Sequence, residues 1–256
     1  MVTAQHTEDA SSAQDSTAVP PGIRVYAIGD IHGRADLLAF LLRRVQTDAE
    51  NAPERRIFVF LGDVIDRGLQ SSDVIDLLTR PLPSGFESVF LKGNHEDMMM
   101  RFLKGDTAAG LDWVRNGGAE TLESYGVAAP EWSADAATYD ATATALAVAL
   151  PADHRAYFQN LRMTYRQGDY LFVHAGLRPG VALEDQSDHD LMWIRPPQME
   201  RKADAGPVVV HGHSIVDKPD VQSRRIGIDT GAYASNVLTC LVLEGTNRRF
   251  LSTSGR

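Results

Sequence analysis

Most of the residues that could do chemistry lie in three short strings: Gly29-Asp30-Ile31-His32-Gly33, Gly62-Asp63-Val64-Ile65-Asp66-Arg67-Gly68 and Gly93-Asn94-His95-Glu96. Carboxylate, imidazole and amide oxygen recur together in them, a donor set that suits borderline divalent ions such as manganese, iron(II) or zinc. The chain has one cysteine, Cys240, so a thiolate-based structural zinc site is not expected. Two more histidines stand in a comparable context. His174 follows Tyr170-Leu171-Phe172-Val173, and His213 closes Val208-Val209-Val210-His211-Gly212-His213. If Asp30, His32 and Asp63 hold one ion, Asp63 can bridge to a second held by Asn94, His174 and His213. Two ions about 3.5–4 Å apart stabilise both the attacking and the leaving oxygen in a displacement at phosphorus.

The elements that must position these groups are strands. Residues 25–28, 57–61 and 89–91 are short apolar runs rich in β-branched and aromatic residues, as buried strands are. Each chemical string follows one of them, at the carboxyl edge where α/β sheets build ligand sites. Residues 36–45 carry Leu37, Leu38, Leu41, Leu42 and Val45 at helical spacing, and residues 71–78 form a second short helix started by Ser71 or Ser72. The result is β-α-β-α-β with right-handed crossovers.

With Gly-Asp-x-His-Gly, Gly-Asp-x-x-Asp-Arg-Gly and Gly-Asn-His-Glu on the page, together with His174-Ala175-Gly176 and Gly212-His213, the chain resembles a metallophosphoesterase of the phosphoprotein phosphatase type. That family includes Ser/Thr protein phosphatases, bacteriophage lambda phosphatase and the symmetrical dinucleoside tetraphosphatases. The resemblance runs from about residue 25 to about residue 243. It implies an α/β sandwich of two mixed sheets flanked by helices, which periodicity alone does not distinguish from a doubly wound single sheet. It makes Asp30, His32, Asp63, Asn94, His174 and His213 metal ligands, with manganese the expected metal and iron or zinc the alternatives. It assigns Asp66 and His95 to a proton-transfer pair and Arg67 and Arg195 to the phosphate. Each role is physically apt: an imidazole near neutral pKa can protonate a leaving oxygen, and a guanidinium fork matches phosphate oxygens. Hydrolysis would proceed by direct attack of metal-activated water, without a covalent phosphoenzyme.

Any one Gly-Asp or Gly-Asn turn alone is as readily a loop or a helix cap as a ligand. Five in one order are specific. The function expected is hydrolysis of phosphate monoesters as a Ser/Thr-type protein phosphatase acting on a phosphorylated protein or peptide. The alternative is a symmetrical bis(5'-nucleosyl)-tetraphosphatase acting on a dinucleoside polyphosphate. A non-catalytic phosphate-binding module is disfavoured because every catalytic position is filled. His211 is expected to lie near the site without ligating, and His6, His154 and His189 are expected at the surface. Asp229 either orients a ligand histidine or begins a turn.

Composition sets the remaining bounds. The chain has 256 residues, 43% hydrophobic and 23% charged, enough for one large core. A formal charge of −9 argues against nucleic acid as a partner. With no membrane-spanning apolar run and no signal-like start, a soluble cytoplasmic protein is the expectation; oligomeric state is not legible. Residues 1–21, rich in Ser, Thr, Ala, Gln and acids, read as a disordered tail, and 22–256 as a single domain. Within it, 97–160 breaks the strand alternation and reads as a helical cap insertion. Its Met98-Met99-Met100 run suits adaptable core packing. Its Asn116-Gly117-Gly118 turn, followed by Thr121 and Ser124-Tyr125-Gly126, resembles a segment of small bacterial members of the family, which implies a place beside the substrate opening. Sheet pattern resumes with a hairpin over 163–166 and 169–173, then strands over 208–210, 225–228 and 237–243.

Overall fold

In the computed structural model the described residues are 17–83, 85–199 and 206–254. The first stretch runs β1 (Ile23–Ile28), α1 (Ala35–Asp48), β2 (Arg55–Phe60), α2 (Ser71–Thr79) and β3 (Phe86–Phe90). β1 pairs in parallel with β2 and β2 with β3, so the β-α-β-α-β reading is realised. A helical stretch follows, with α3 (Asn94–Phe102), α4 (Thr107–Trp113), a π-helical turn over Val114–Gly118, α5 (Ala119–Ser124), α6 (Ala136–Ala149) and α7 (Ala152–Gln159). The chain then forms β4 (Thr164–Gln167), β5 (Tyr170–Val173), α8 (Asp188–Trp193), β6 (Val208–His211), β7 (Asp220–Val221), β8 (Arg225–Gly227), α9 (Ala232–Ser235), β9 (Thr239–Glu244) and β10 (Asn247–Ser252).

These strands make two mixed five-stranded sheets, ordered β10-β9-β1-β2-β3 and β4-β5-β6-β8-β7. Alternation along the strands explains how they stack. Val25, Ala27, Ile57, Val59 and Leu61 face Tyr170, Phe172, Val208, Val210, Ile226 and Ile228 of the second sheet in one buried cluster. The opposite face of β1 and β2, with Tyr26, Ile28, Phe58 and Phe60, packs under α1, α2 and the insertion helices, where Met98 and Met99 are also buried. The fold is thus the expected α/β sandwich. Among the described residues no helix is long and apolar enough to cross a membrane.

Residues 1–16, most of the expected tail, lie outside the described residues. Just after them Val19 is buried between the sheets and its N–H donates to the Gly245 carbonyl at 3.0 Å. Two strands were not legible in the sequence: β7, of two residues, and β10, an edge strand carrying Arg248 and Arg249.

His154 corrects one expectation. It is buried, not at the surface: Tyr125 Oη lies 2.9 Å from its Nδ1 and Asp76 Oδ1 lies 3.0 Å from its Nε2, so it ties α7 to α2 and to the end of α5. Flanking Asp153 and Arg155 give a surface-like local composition, while its burial comes from tertiary packing. His189 is exposed and stacks on Trp193, and His6 lies outside the described residues.

Candidate active site

The carboxyl ends of β1, β2, β3, β5 and β6 bring the predicted residues into one cluster. Backbone hydrogen bonds fix the first two strings to each other: the N–H groups of Ile31 and His32 donate to the Asp63 carbonyl at 3.1 and 3.0 Å, and that of Gly33 to Val64 at 2.9 Å. The approach is so close that a Cβ on Gly33 would sit 2.3 Å from the Gly68 carbonyl oxygen, which is why both strings end in glycine. The third string is joined by Glu96, whose carboxylate accepts from the N–H groups of Gly93 (2.9 Å), Asp63 (2.9 Å) and Val64 (2.8 Å). Burial and the nearby Asp63 charge push the Glu96 pKa up to about 7. The sequence reading gave Glu96 no role, and its place at the third position of α3, where a capping carboxylate belongs, was the available signal.

Asp63 is the centre. Its Oδ2 lies 3.8 Å from His32 Nε2, 3.8 Å from His95 Nε2 and 3.3 Å from His174 Nε2. Burial alone would raise its pKa, but His174, His95 and His32 outweigh burial and hold it well below the usual carboxylate range. Candidate ligand atoms of His32, Asp63 and His95 lie within 4.8 Å of one another, as do those of Asp63, His174 and His213, so Asp63 belongs to two overlapping groups. Asn94 Oδ1 is 3.0 Å from His174 Nε2, and Asp30 Oδ2 accepts the His213 N–H at 3.0 Å.

Three observations fit this cluster to metal ions. Asp30 Oδ1 and His213 Nε2 are buried with no hydrogen-bond partner among the described residues. A buried polar atom left unpaired costs about 1–3 kcal/mol, so these atoms call for a partner of another kind. The Nδ1 groups of His32 and His174 donate to the carbonyls of Ile65 (2.9 Å) and Leu61 (2.8 Å), which aims their Nε2 atoms inward as ligating imidazoles are aimed. The donor set contains no sulfur; Cys240 is buried in β9, in the core cluster.

His95 is held differently. Its Nδ1 donates to a carboxylate, Asp66 Oδ2, at 2.6 Å. Burial would lower the His95 pKa, but Asp63 and Asp66 outweigh it and raise it, whereas burial and the neighbouring His95 push His32 well below its ordinary value. Two imidazoles at equal distance from Asp63 therefore sit in opposite electrostatic settings. Arg67 spans them, its guanidinium nitrogens 3.0 Å from His32 Nε2 and 3.2 Å from His95 Nε2. Its carbon stacks 4.8 Å from the centre of the Tyr233 ring, which α9 supplies, and its N–H donates to the Gly117 carbonyl at 3.0 Å. Arg195 is exposed beyond α8 and donates to the His213 carbonyl at 3.1 Å.

His211 lies apart. β6 ends at His211 and His213 adopts a positive φ of 60°, so the alternation that would have aligned the two histidines is broken. His211 Nδ1 donates to the Gly212 carbonyl at 2.9 Å and its Nε2 lies 3.3 Å from Arg225. Asp229 accepts the Gly231 N–H at 2.9 Å, the turn-forming alternative. Among the described non-glycine residues, positive φ occurs at His32, Asp63, Asp66, Arg67 and His213, all in this cluster, and at Asn236.

A carboxylate shared by two inward-facing imidazole groups, at the carboxyl edge of a two-sheet sandwich, defines a metal-dependent phosphoesterase. The chain belongs to the calcineurin-like phosphoesterase family, whose model matches residues 23–240. Among curated relatives it is 25% identical to the asymmetrical bis(5'-nucleosyl)-tetraphosphatase PrpE of Bacillus velezensis, over 83% of this chain and 86% of that one. It is 27% identical to serine/threonine-protein phosphatase 2 of Escherichia coli, over 84% of this chain and 90% of that one. A crystal structure described as that of a candidate diadenosine tetraphosphatase superposes with a TM-score of 0.60 at 22% identity, covering 94% of this chain and 99% of that chain. The chain is therefore a hydrolytic phosphoesterase.

Proposed function

We propose that this chain hydrolyses phosphate monoesters of alcohols in phosphorylated proteins, using two divalent ions held by Asp30, His32, Asp63, Asn94, His174 and His213. When bound, such ions supply a Lewis acid and lower the pKa of water. The rest falls to the chain. Arg67 and Arg195 offer planar forks to the phosphate oxygens and counter the charge that develops on them. His95, charged and oriented by Asp66, delivers a proton to the leaving oxygen.

The observation that carries proton delivery to the leaving oxygen is the 2.6 Å contact between His95 and Asp66, both buried, a pair that the resemblance assigns to protein phosphatases and dinucleoside tetraphosphatases alike. A serine or threonine alkoxide is a poor leaving group and needs that proton; a nucleotide phosphate leaves without it. The second reading, dinucleoside polyphosphate hydrolysis, draws support from the relatives named as tetraphosphatases. Parallel turnover of a phosphoserine peptide, diadenosine tetraphosphate and an aryl phosphate with manganese distinguishes them. Preference for the peptide is expected; preference for the dinucleotide would install the second reading.

A further inference from the structure

Asp66 is fully buried, and the donors to its carboxylate come largely from the insertion. Trp113 Nε1, from the end of α4, donates to Oδ2 at 2.8 Å, the same oxygen that receives His95. Thr121 Oγ1, from α5, donates to Oδ1 at 2.7 Å and also accepts the Asp66 N–H at 2.9 Å. Ser71 Oγ, at the start of α2, accepts the same N–H at 3.0 Å. Both carboxylate oxygens are thus fixed from one side by two buried groups, leaving His95 Nδ1 as the third donor.

The reach of both residues to one carboxylate depends on the kink between them. Eight residues of uninterrupted α-helix would separate Trp113 from Thr121 by about 12 Å. The π-helical turn Val114–Gly118, with Gly117 at φ 105°, shortens and redirects that path. A Cβ on Gly118 would sit 2.5 Å from the Trp113 ring, and one on Gly117 would sit 2.8 Å from Arg67 Cγ, so the turn is pressed against the residues it serves.

We propose that Trp113 and Thr121 are positioning residues for proton delivery: they hold the Asp66 carboxylate in the orientation that aims His95. This rests on the reading of His95 as the acid. The insertion accordingly supplies two of the three donors that hold the Asp66 carboxylate.

The test compares an alkyl phosphate monoester with an aryl phosphate whose leaving group hardly needs protonation. Trp113→Phe keeps the ring and removes the N–H; Thr121→Val keeps the shape and removes the O–H. Each should lower kcat on the alkyl ester about tenfold, the worth of one buried hydrogen bond, with a loss under about twofold on the aryl ester. KM and inhibition by inorganic phosphate should stay as in the parent chain. Thr121→Ser, which keeps the hydroxyl, should restore the alkyl rate. In a His95→Asn background the two substitutions should add nothing. Equal losses on both esters, or full additivity with His95→Asn, would overturn the proposal while the acid reading stands. If His95→Asn itself loses equally on both esters, the acid reading has failed and the positioning role falls with it.

Discussion

If Asp63 is shared between two ions, metal should govern stability as well as turnover, and the size of the effect can be worked out. The buried Asp30 Oδ1 and His213 Nε2 have no hydrogen-bond partner among the described residues, so the metal-free fold carries a cost that binding would remove. At free manganese of about 100 times Kd, each ion adds about 2.7 kcal/mol, or roughly 5 kcal/mol for two. For a domain of this size each kcal/mol moves Tm by about 2–4 °C, giving a rise of roughly 10–20 °C between chelator and manganese. Scanning calorimetry on the same preparation in both conditions measures it directly. Asp63→Asn should abolish the rise, because Asp63 belongs to both ligand groups, and the comparison is made within each variant so that any change in its metal-free Tm drops out. A parent shift below about 2 °C, or an Asp63→Asn variant that keeps more than half of it, would refute the shared-carboxylate reasoning.

Chelation should also abolish turnover, with manganese restoring it better than magnesium, which prefers oxygen ligands and keeps its waters; full activity in chelator would contradict this. His95→Asn should keep metal content while losing about 10²–10⁴-fold in kcat on an alkyl phosphate, and loss of bound metal would instead make His95 a ligand. Arg67→Ala or Arg195→Ala should weaken inhibition by inorganic phosphate, with Lys rescuing only in part because a point charge cannot reproduce the fork; unchanged inhibition in both Ala variants would remove the arginines from the phosphate. His213→Ala should bind one ion per chain, whereas His211→Ala, whose imidazole meets Gly212 and Arg225, should bind two, as metal analysis of the purified variants would reveal.

Most of the strands, the first helices and the six proposed ligands could be read in advance because their signals are local: an apolar run, a glycine turn, a donor. What could not be read depends on where distant segments meet. His154 has a surface residue's neighbours in sequence, yet Tyr125 and Asp76 enclose it. Thr121 belongs to a segment expected beside the substrate opening and Trp113 to the expected helical insertion, but only the π-helical turn reveals that they reach Asp66. His211 and His213 have the parity of neighbours on one strand face, and a left-handed residue undoes it. β10 escaped notice because an edge strand tolerates the arginines that disguise it.

The left-handed backbone at His32, Asp63, Asp66, Arg67 and His213 has a consequence for the history of such a chain. Non-glycine residues in sparsely populated backbone regions cost on the order of 1–3 kcal/mol each, least for Asp and His and most for a longer side chain such as Arg67. Against a typical domain stability of about 5–15 kcal/mol, that sum is a standing load that only selection for activity maintains. In a lineage where the reaction no longer mattered, replacement of Arg67 by glycine would relieve strain and spread without resistance from folding. Decay of the family's motifs should therefore begin at its most strained positions, Arg67 foremost.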